Sequence, residues 1–319
     1  MRTLQLIVPM VLAAACGTDA GGPGSGPPDG SGPPARGFQV VSPEVTIMPG
    51  QEITYCYYFH TPNTETMVIK KWSSDMTPGS HHMIMYTTAS DEMPPGTLST
   101  MSCGGFALGN VPSWTYSAQT PTNEVALPSD DGAGVPLGQE IAPATPAYFQ
   151  MHYLNATDAP IRAHVTLNAE AYEAGASYTR TAAYVTYNGD ISIPPGATDH
   201  LETMTCNVPA GAKFWVLSTH AHKQAVKTEI KDGMPASTAI PFTSTDWEHP
   251  GATMWSSAPF YTFATGKLTY ECTYDNVGDN AKSTIVDGPS AAINEMCMAT
   301  GYYFPATKPL ICFNNLGPF

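Results

Sequence analysis

Apolar and polar residues alternate over short runs along most of the chain, as in Glu52–Phe59, His81–Thr87, Ala147–Asn155, Ile161–Ala169 and Lys267–Asp275. Each run is bounded by Pro, Gly, Asn or Asp, and a period of two between such boundaries predicts half-buried β-strands. No segment sustains an apolar period of three to four, and 30 prolines among 319 residues would interrupt long helices. The pattern predicts an all-β protein made of two tandem antiparallel β-sandwich domains of jelly-roll type. A small-residue stretch, Ala171–Thr181, separates one series of strands from a second that begins near Ala183, which sets the domains at 38–175 and 176–319.

The N-terminus has a different character. Met1-Arg2 is followed by an apolar run from Leu4 to Ala15 and then by Cys16, a charged region, a short apolar region and small residues in sequence. The run is too short to span a bilayer, and residues 1–16 resemble a bacterial lipoprotein signal peptide whose Cys16 becomes lipid-modified. Residues 17–37 are dominated by Gly and Pro, cannot bury apolar surface and are expected to form a disordered tether. The expected location is the bacterial cell envelope, outside the cytoplasm at the outer membrane, with the lipid as the only membrane contact. The net charge of −14 argues against nucleic acid, or an anionic membrane surface, as a partner of the protein body.

Export also bears on the cysteines. Seven are present, and beyond Cys16 they are Cys56, Cys103, Cys206, Cys272, Cys297 and Cys312, widely spaced and even in number, which predicts three disulfides. Two precede the domain boundary and four follow it. Spacing leaves the pairing of those four open.

Five of the nine histidines fall in three compact settings: His81-His82, His152 in Gln150-Met151-His152, and His220-Ala221-His222. Residues two apart in a strand share a face, so His220 and His222 can reach one metal ion. His81 and His82 would point to opposite faces of a regular strand. They follow the turn Thr77-Pro78-Gly79-Ser80, however, where an irregular backbone can bring both rings together. A solvated pair at a loop tip is the structural alternative for His81-His82, and a hydrogen-bonded core histidine is that for His152. His60, His164, His200 and His249 have no metal-like spacing and are read as solvated.

Near the C-terminus stands Asn294-Glu295-Met296-Cys297-Met298. With this segment, four signatures occur in order: His81-His82, Gln150-x-His152-Tyr153, His220-x-His222 and Glu295-Met296-Cys297. Over about residues 40 to 305 the chain thereby resembles the copper type II ascorbate-dependent monooxygenases, the family of peptidylglycine α-hydroxylating monooxygenase and dopamine β-monooxygenase. The resemblance implies two mononuclear copper sites in separate domains facing one another across an open cleft. His81, His82 and His152 would hold an electron-donating copper. His220, His222 and Met296 would hold the copper that meets dioxygen and substrate. A thioether is a soft ligand suited to Cu(I) and rarely chosen for zinc; filling a core gap is the structural alternative for Met296. Gln150 would order solvent or substrate between the coppers, or make an ordinary strand hydrogen bond. The disulfides implied are Cys56–Cys103, Cys206–Cys312 and Cys272–Cys297, a swap among the last four remaining open.

The function implied is hydroxylation of a C–H bond in a small-molecule substrate, with dioxygen, two copper ions and ascorbate or another one-electron reductant. The peptide-amidating members grip a carboxylate with an arginine, an asparagine and a tyrosine at positions that are Ser218, Met298 and Thr300 here, so a glycine-extended peptide would lose its anchor. Two other classes compete: an extracytoplasmic copper-binding or storage protein without turnover, and a zinc hydrolase using only the three-histidine set. Asn155-Ala156-Thr157 is a glycosylation sequon by sequence and is read as coincidental.

Overall fold

The structure, a computed structural model, describes residues 32–100, 103, 112–278, 281–288 and 290–314. The expected signal peptide, Cys16 and most of the tether lie outside them. From Pro33 onward the described residues form one compact unit, built of strands with no α-helix.

The first half folds as two facing sheets. One has the order β1-β12-β4-β9-β13, with β8 also on β4, and contains β1 (Gly37–Val41), β4 (Met67–Met76), β8 (Thr122–Ala126), β9 (Leu137–Ile141), β12 (Val165–Ala171) and β13 (Thr179–Arg180). The other has the order β6-β3-β10-β5-β7 and contains β3 (Glu52–His60), β5 (Ser80–Thr87), β6 (Leu98–Ser99), β7 (Ser113–Ala118) and β10 (Pro146–Leu154). Alternate residues of both sheets, among them Ile69, Trp72, Met83, Phe149, Met151 and Leu167, fill the space between them. The run expected at Ile161–Ala169 is interrupted at His164: Ile161–Ala163 pairs elsewhere, and a new strand starts at Val165.

The second half repeats the arrangement. One sheet runs β20-β17-β23-β14-β24, with β14 (Ala182–Tyr187), β17 (Lys213–Ala221), β20 (Thr253–Met254), β23 (Cys297–Phe304) and β24 (Leu310–Phe313). The other runs β16-β21-β18-β19, with β16 (His200–Asn207), β18 (Ala225–Asp232), β19 (Phe242–Ser244) and β21 (Lys267–Tyr274). Phe214, Ile230, Leu268 and Tyr303 form its core.

Two boundaries move. Thr179 and Arg180 pair with β9 of the first half, so the chain crosses between lobes just before Ala182, beyond the expected 175. The tether ends earlier than residue 37. Arg36 donates from Nε to the Tyr172 carbonyl at 2.6 Å and from Nη2 to Glu65 at 2.9 Å, and Gly37 already belongs to β1. Gly37 has φ +136°, and a Cβ there would sit 1.8 Å from the Ala169 carbonyl oxygen, so glycine is required.

The lobes share apolar contact. Trp215, Phe260 and Phe304 of the second lobe belong to the first lobe's core cluster, and Tyr302 donates across the seam to the Thr115 carbonyl at 2.9 Å. All three disulfides form with the pairing that the resemblance implies: Cys56–Cys103, Cys206–Cys312 and Cys272–Cys297. The last joins β21 to the first residue of β23, next to Met296.

Candidate metal centre

His81, His82 and His152 converge because of one irregularity. Along β5 and β10, His152 pairs with His82 but Tyr153 pairs with Ser80, so His81 is an extra residue with no partner opposite it. Such a bulge re-aims a side chain, and here it turns His81 to the side that His82 already faces. The three residues are buried, and one nitrogen from each lies within 4.8 Å of the others. His81 Nδ1 and His82 Nδ1 are 2.9 Å apart, the separation subtended at a right angle by two imidazole–metal bonds of about 2.0 Å.

Neighbouring groups choose the free nitrogens. His152 Nε2 donates to Glu52 at 2.9 Å, which leaves Nδ1 with its lone pair. The same Glu52 oxygen accepts the Ala291 backbone N–H at 3.1 Å, and the hydrogen bond from His152 is the largest influence holding the Glu52 carboxyl below its usual range. A carboxylate that orients a histidine in this way is the usual outer partner of a metal ligand. Nε2 of His81 is buried without a hydrogen-bond partner. The cluster therefore holds one buried nitrogen with no hydrogen-bond partner, while His81 Nδ1 and His82 Nδ1 are satisfied only by each other, a pairing a metal could replace.

The second set lies at the end of β17. His220 pairs with Met298 across to β23, and His222 follows just beyond the strand, the two rings perpendicular with centroids 5.4 Å apart. His222 Nδ1 donates to the Asn294 carbonyl at 3.1 Å, leaving Nε2 free. Glu295, fully buried, accepts the backbone N–H groups of His222 and Gln224, each at 2.8 Å, and that of Met296 at 3.3 Å. Burial pushes its carboxyl up to about 8 against the pull of these donors. The Met296 carbonyl accepts Tyr274 Oη at 2.7 Å, so the methionine backbone is held at both ends. Its half-buried side chain lines the same cavity as His220 and His222.

The open cleft expected between the two sets is not what the structure shows. The His82 and His220 rings are 5.3 Å apart, His81 stacks on Trp247 of the second lobe at 5.4 Å, and Glu52 reaches Ala291. These contacts close the seam at the histidine end. Beside it a cavity of about 890 Å³ remains between the lobes, lined by His82, Gln150, His152, His220, His222 and Met296 and by aromatic and aliphatic side chains, with Met296 packed against the cluster of Ala183, Val185 and Met298.

Burial lowers the histidine pKa values, to about 4 for His81 and His222 and well below the ordinary 6.5 for His82 and His220. Neutral imidazole is the form that binds metal. The sign for stability follows: unfolded, these groups bind protons below about pH 6.5, while folded they resist, His81 and His222 until about pH 4, so on their account the unfolded chain holds more protons in that window. Through these histidines metal-free protein should lose stability as pH falls from 6.5 toward 4, a loss partly offset by Glu295, whose raised carboxyl favours the folded state as pH falls from about 8 toward 4.5. Denaturant midpoints across that range test this, and a flat profile would contradict it.

The remaining histidines lie outside the cluster. His60 pairs with Asp91 at 2.7 Å, His200 with Glu202 at 3.1 Å, and His249 is exposed near His81, whose charged form it disfavours. Asn155 is buried, with Nδ2 donating to the Ile47 and Ala159 carbonyls at 3.0 and 2.9 Å, which accords with a coincidental sequon. Glu52, Trp247 and Tyr274 were not singled out from the sequence. No spacing marks them, because they reach the site through strand pairing and lobe docking.

The sequence matches no protein-family model and no curated protein. Among solved structures, the chain is similar to the major capsid protein P2 from bacteriophage PM2, at 7% identity over 83% of this chain and 97% of that one, with a TM-score of 0.33. A structure of infectious bursal disease virus, Gx strain, overlaps 84% of this chain and 77% of that one at 11% identity and a TM-score of 0.14. At these scores neither likeness bears on the chemistry.

Proposed function

We propose that this chain is an exported copper monooxygenase that hydroxylates a C–H bond of a small substrate. The observation that carries the reading is that five of the six proposed ligands, His82, His152, His220, His222 and Met296, line a single interlobe cavity. A storage site needs ligands, but it has no use for a cavity of that size. The net reaction takes R–H, dioxygen, two protons and two electrons to R–OH and water, the electrons coming one at a time from an external donor such as ascorbate.

Copper, when bound, would supply the one-electron steps and the activation of dioxygen that C–H cleavage requires. His81, His82 and His152 would hold one ion, and His220, His222 and Met296 the other, imidazole suiting both oxidation states and the thioether favouring Cu(I). Glu52 and the Asn294 carbonyl fix the tautomers of His152 and His222. Glu295, Tyr274 and the Cys272–Cys297 bridge hold Met296 in place. Gln150, which lines the same cavity, would order solvent or substrate. The proposal includes lipid attachment at Cys16 and a place in the bacterial envelope, where dioxygen and small reductants are accessible.

Metal analysis after copper loading, followed by X-ray absorption of the ascorbate-reduced protein, tests this. Two coppers per chain, one with a sulfur neighbour, together with substrate-dependent dioxygen uptake, are expected. One copper, zinc alone, or two coppers without dioxygen uptake would overturn it.

A further inference from the structure

Apart from the proposed ligands, the cavity has two unlike walls. The first lobe supplies Tyr86 and Tyr148, stacked at 5.0 Å, with Trp114 edge-on to Tyr86 at 5.6 Å. The second lobe supplies Val185, Met298 and Ile311. Such walls favour an apolar body with ring faces, because aromatic side chains bind rings through offset and edge contacts as well as by burial.

Charge on the walls is sparse and already engaged. Glu52 is bound to His152 and Ala291. Asp287 is half-buried and accepts Tyr187 Oη at 2.5 Å, and burial raises its carboxyl above the ordinary value. Lys308, the one lysine or arginine on the wall among the described residues, is exposed. An anionic substrate would thus bring a charge into a cavity that offers no buried cation, and would face Asp287 as well. A cationic one would have to give up hydration for a carboxylate that Tyr187 already occupies. Desolvation without a free partner disfavours both.

We infer that the cavity takes an uncharged, ring-bearing apolar molecule, held between the Tyr86–Tyr148–Trp114 wall and the Val185–Met298–Ile311 wall. What happens to that molecule rests on the monooxygenase reading; whether it binds does not.

The test is calorimetric titration of the purified chain, metal-free and copper-loaded, with three probes sharing one ring system: naphthalen-2-ylmethanol, 2-naphthylacetate and 2-(naphthalen-2-yl)ethylamine. In the metal-free chain the neutral alcohol should bind one per chain and at least tenfold more tightly than either charged probe; the copper-loaded chain shows how far a bound cation changes that order. Equal or tighter binding of the acetate or the amine by the metal-free chain, or no binding of the alcohol, overturns the inference. A second arm uses Ile311→Arg, on the edge strand β24 and outside both ligand sets. It should retain two coppers and reverse the order of acetate and alcohol; an unchanged order in that folded, copper-replete variant would place the probes elsewhere. Alcohol binding by a chain that takes up no copper would sink the monooxygenase reading and leave this one standing.

Discussion

Met296→Ile should reduce hydroxylation by at least about 100-fold, roughly 2.7 kcal/mol of transition-state stabilisation, while the protein remains folded. Isoleucine nearly conserves volume, and swaps of that kind usually cost less than about 1.5 kcal/mol. The side chain is only half-buried, facing the cavity rather than plugging a core. Its backbone contacts, Glu295 to the N–H and Tyr274 to the carbonyl, are indifferent to the substitution. Under the proposed function, what would be lost is the soft sulfur donor, and with it a preference for Cu(I) at the set that includes His220 and His222. Steady-state turnover, X-ray absorption and thermal unfolding together decide the matter. An unchanged melting temperature, loss of the sulfur neighbour and loss of turnover are expected. Retained turnover would remove Met296 from the oxygen-activating site and return it to the role of an apolar wall residue.

The limits of the sequence are clearest at particular residues. Period-two alternation located β3, β5, β10 and β21 to within a residue or two, since a strand with one buried face imposes that pattern. The convergence of His81 and His82 was legible because a turn directly precedes them, and the bulge is the form the irregularity takes. The disulfide pairing came from the resemblance rather than from spacing. The contact between the two ligand sets was not legible, because it depends on how two separately formed sandwiches dock. Trp247 meets His81, and His82 meets His220, only through that docking. Glu52 is likewise invisible as a partner of His152 until β3 is laid beside β10. The lobe boundary was misplaced for a related reason: β13 is a two-residue strand, too short to show a period, yet its pairing with β9 keeps Arg180 in the first lobe.

Every histidine of the first set is tied to the second lobe. His81 stacks on Trp247, His82 abuts His220, and His152 is linked through Glu52 to Ala291. The residue that most directly builds the second set is Glu295, which hydrogen-bonds to none of the first set's histidines. Glu295→Ala would leave the N–H groups of His222, Gln224 and Met296 without their acceptor in a buried site. Each unsatisfied buried donor costs about 1–3 kcal/mol, and the vacated volume adds to that, so a loss on the order of 3–5 kcal/mol in unfolding free energy is expected. Bound copper should fall from two ions to one, the survivor being held by His81, His82 and His152. Glu295→Gln keeps one acceptor oxygen and the volume, and should recover part of both losses. This graded pattern distinguishes a carboxylate that positions ligands from one that merely fills space, for which Ala and Gln would differ in stability but not in copper content. Two coppers with an intact sulfur neighbour in Glu295→Ala would show that the ligand backbone holds its course without this acceptor.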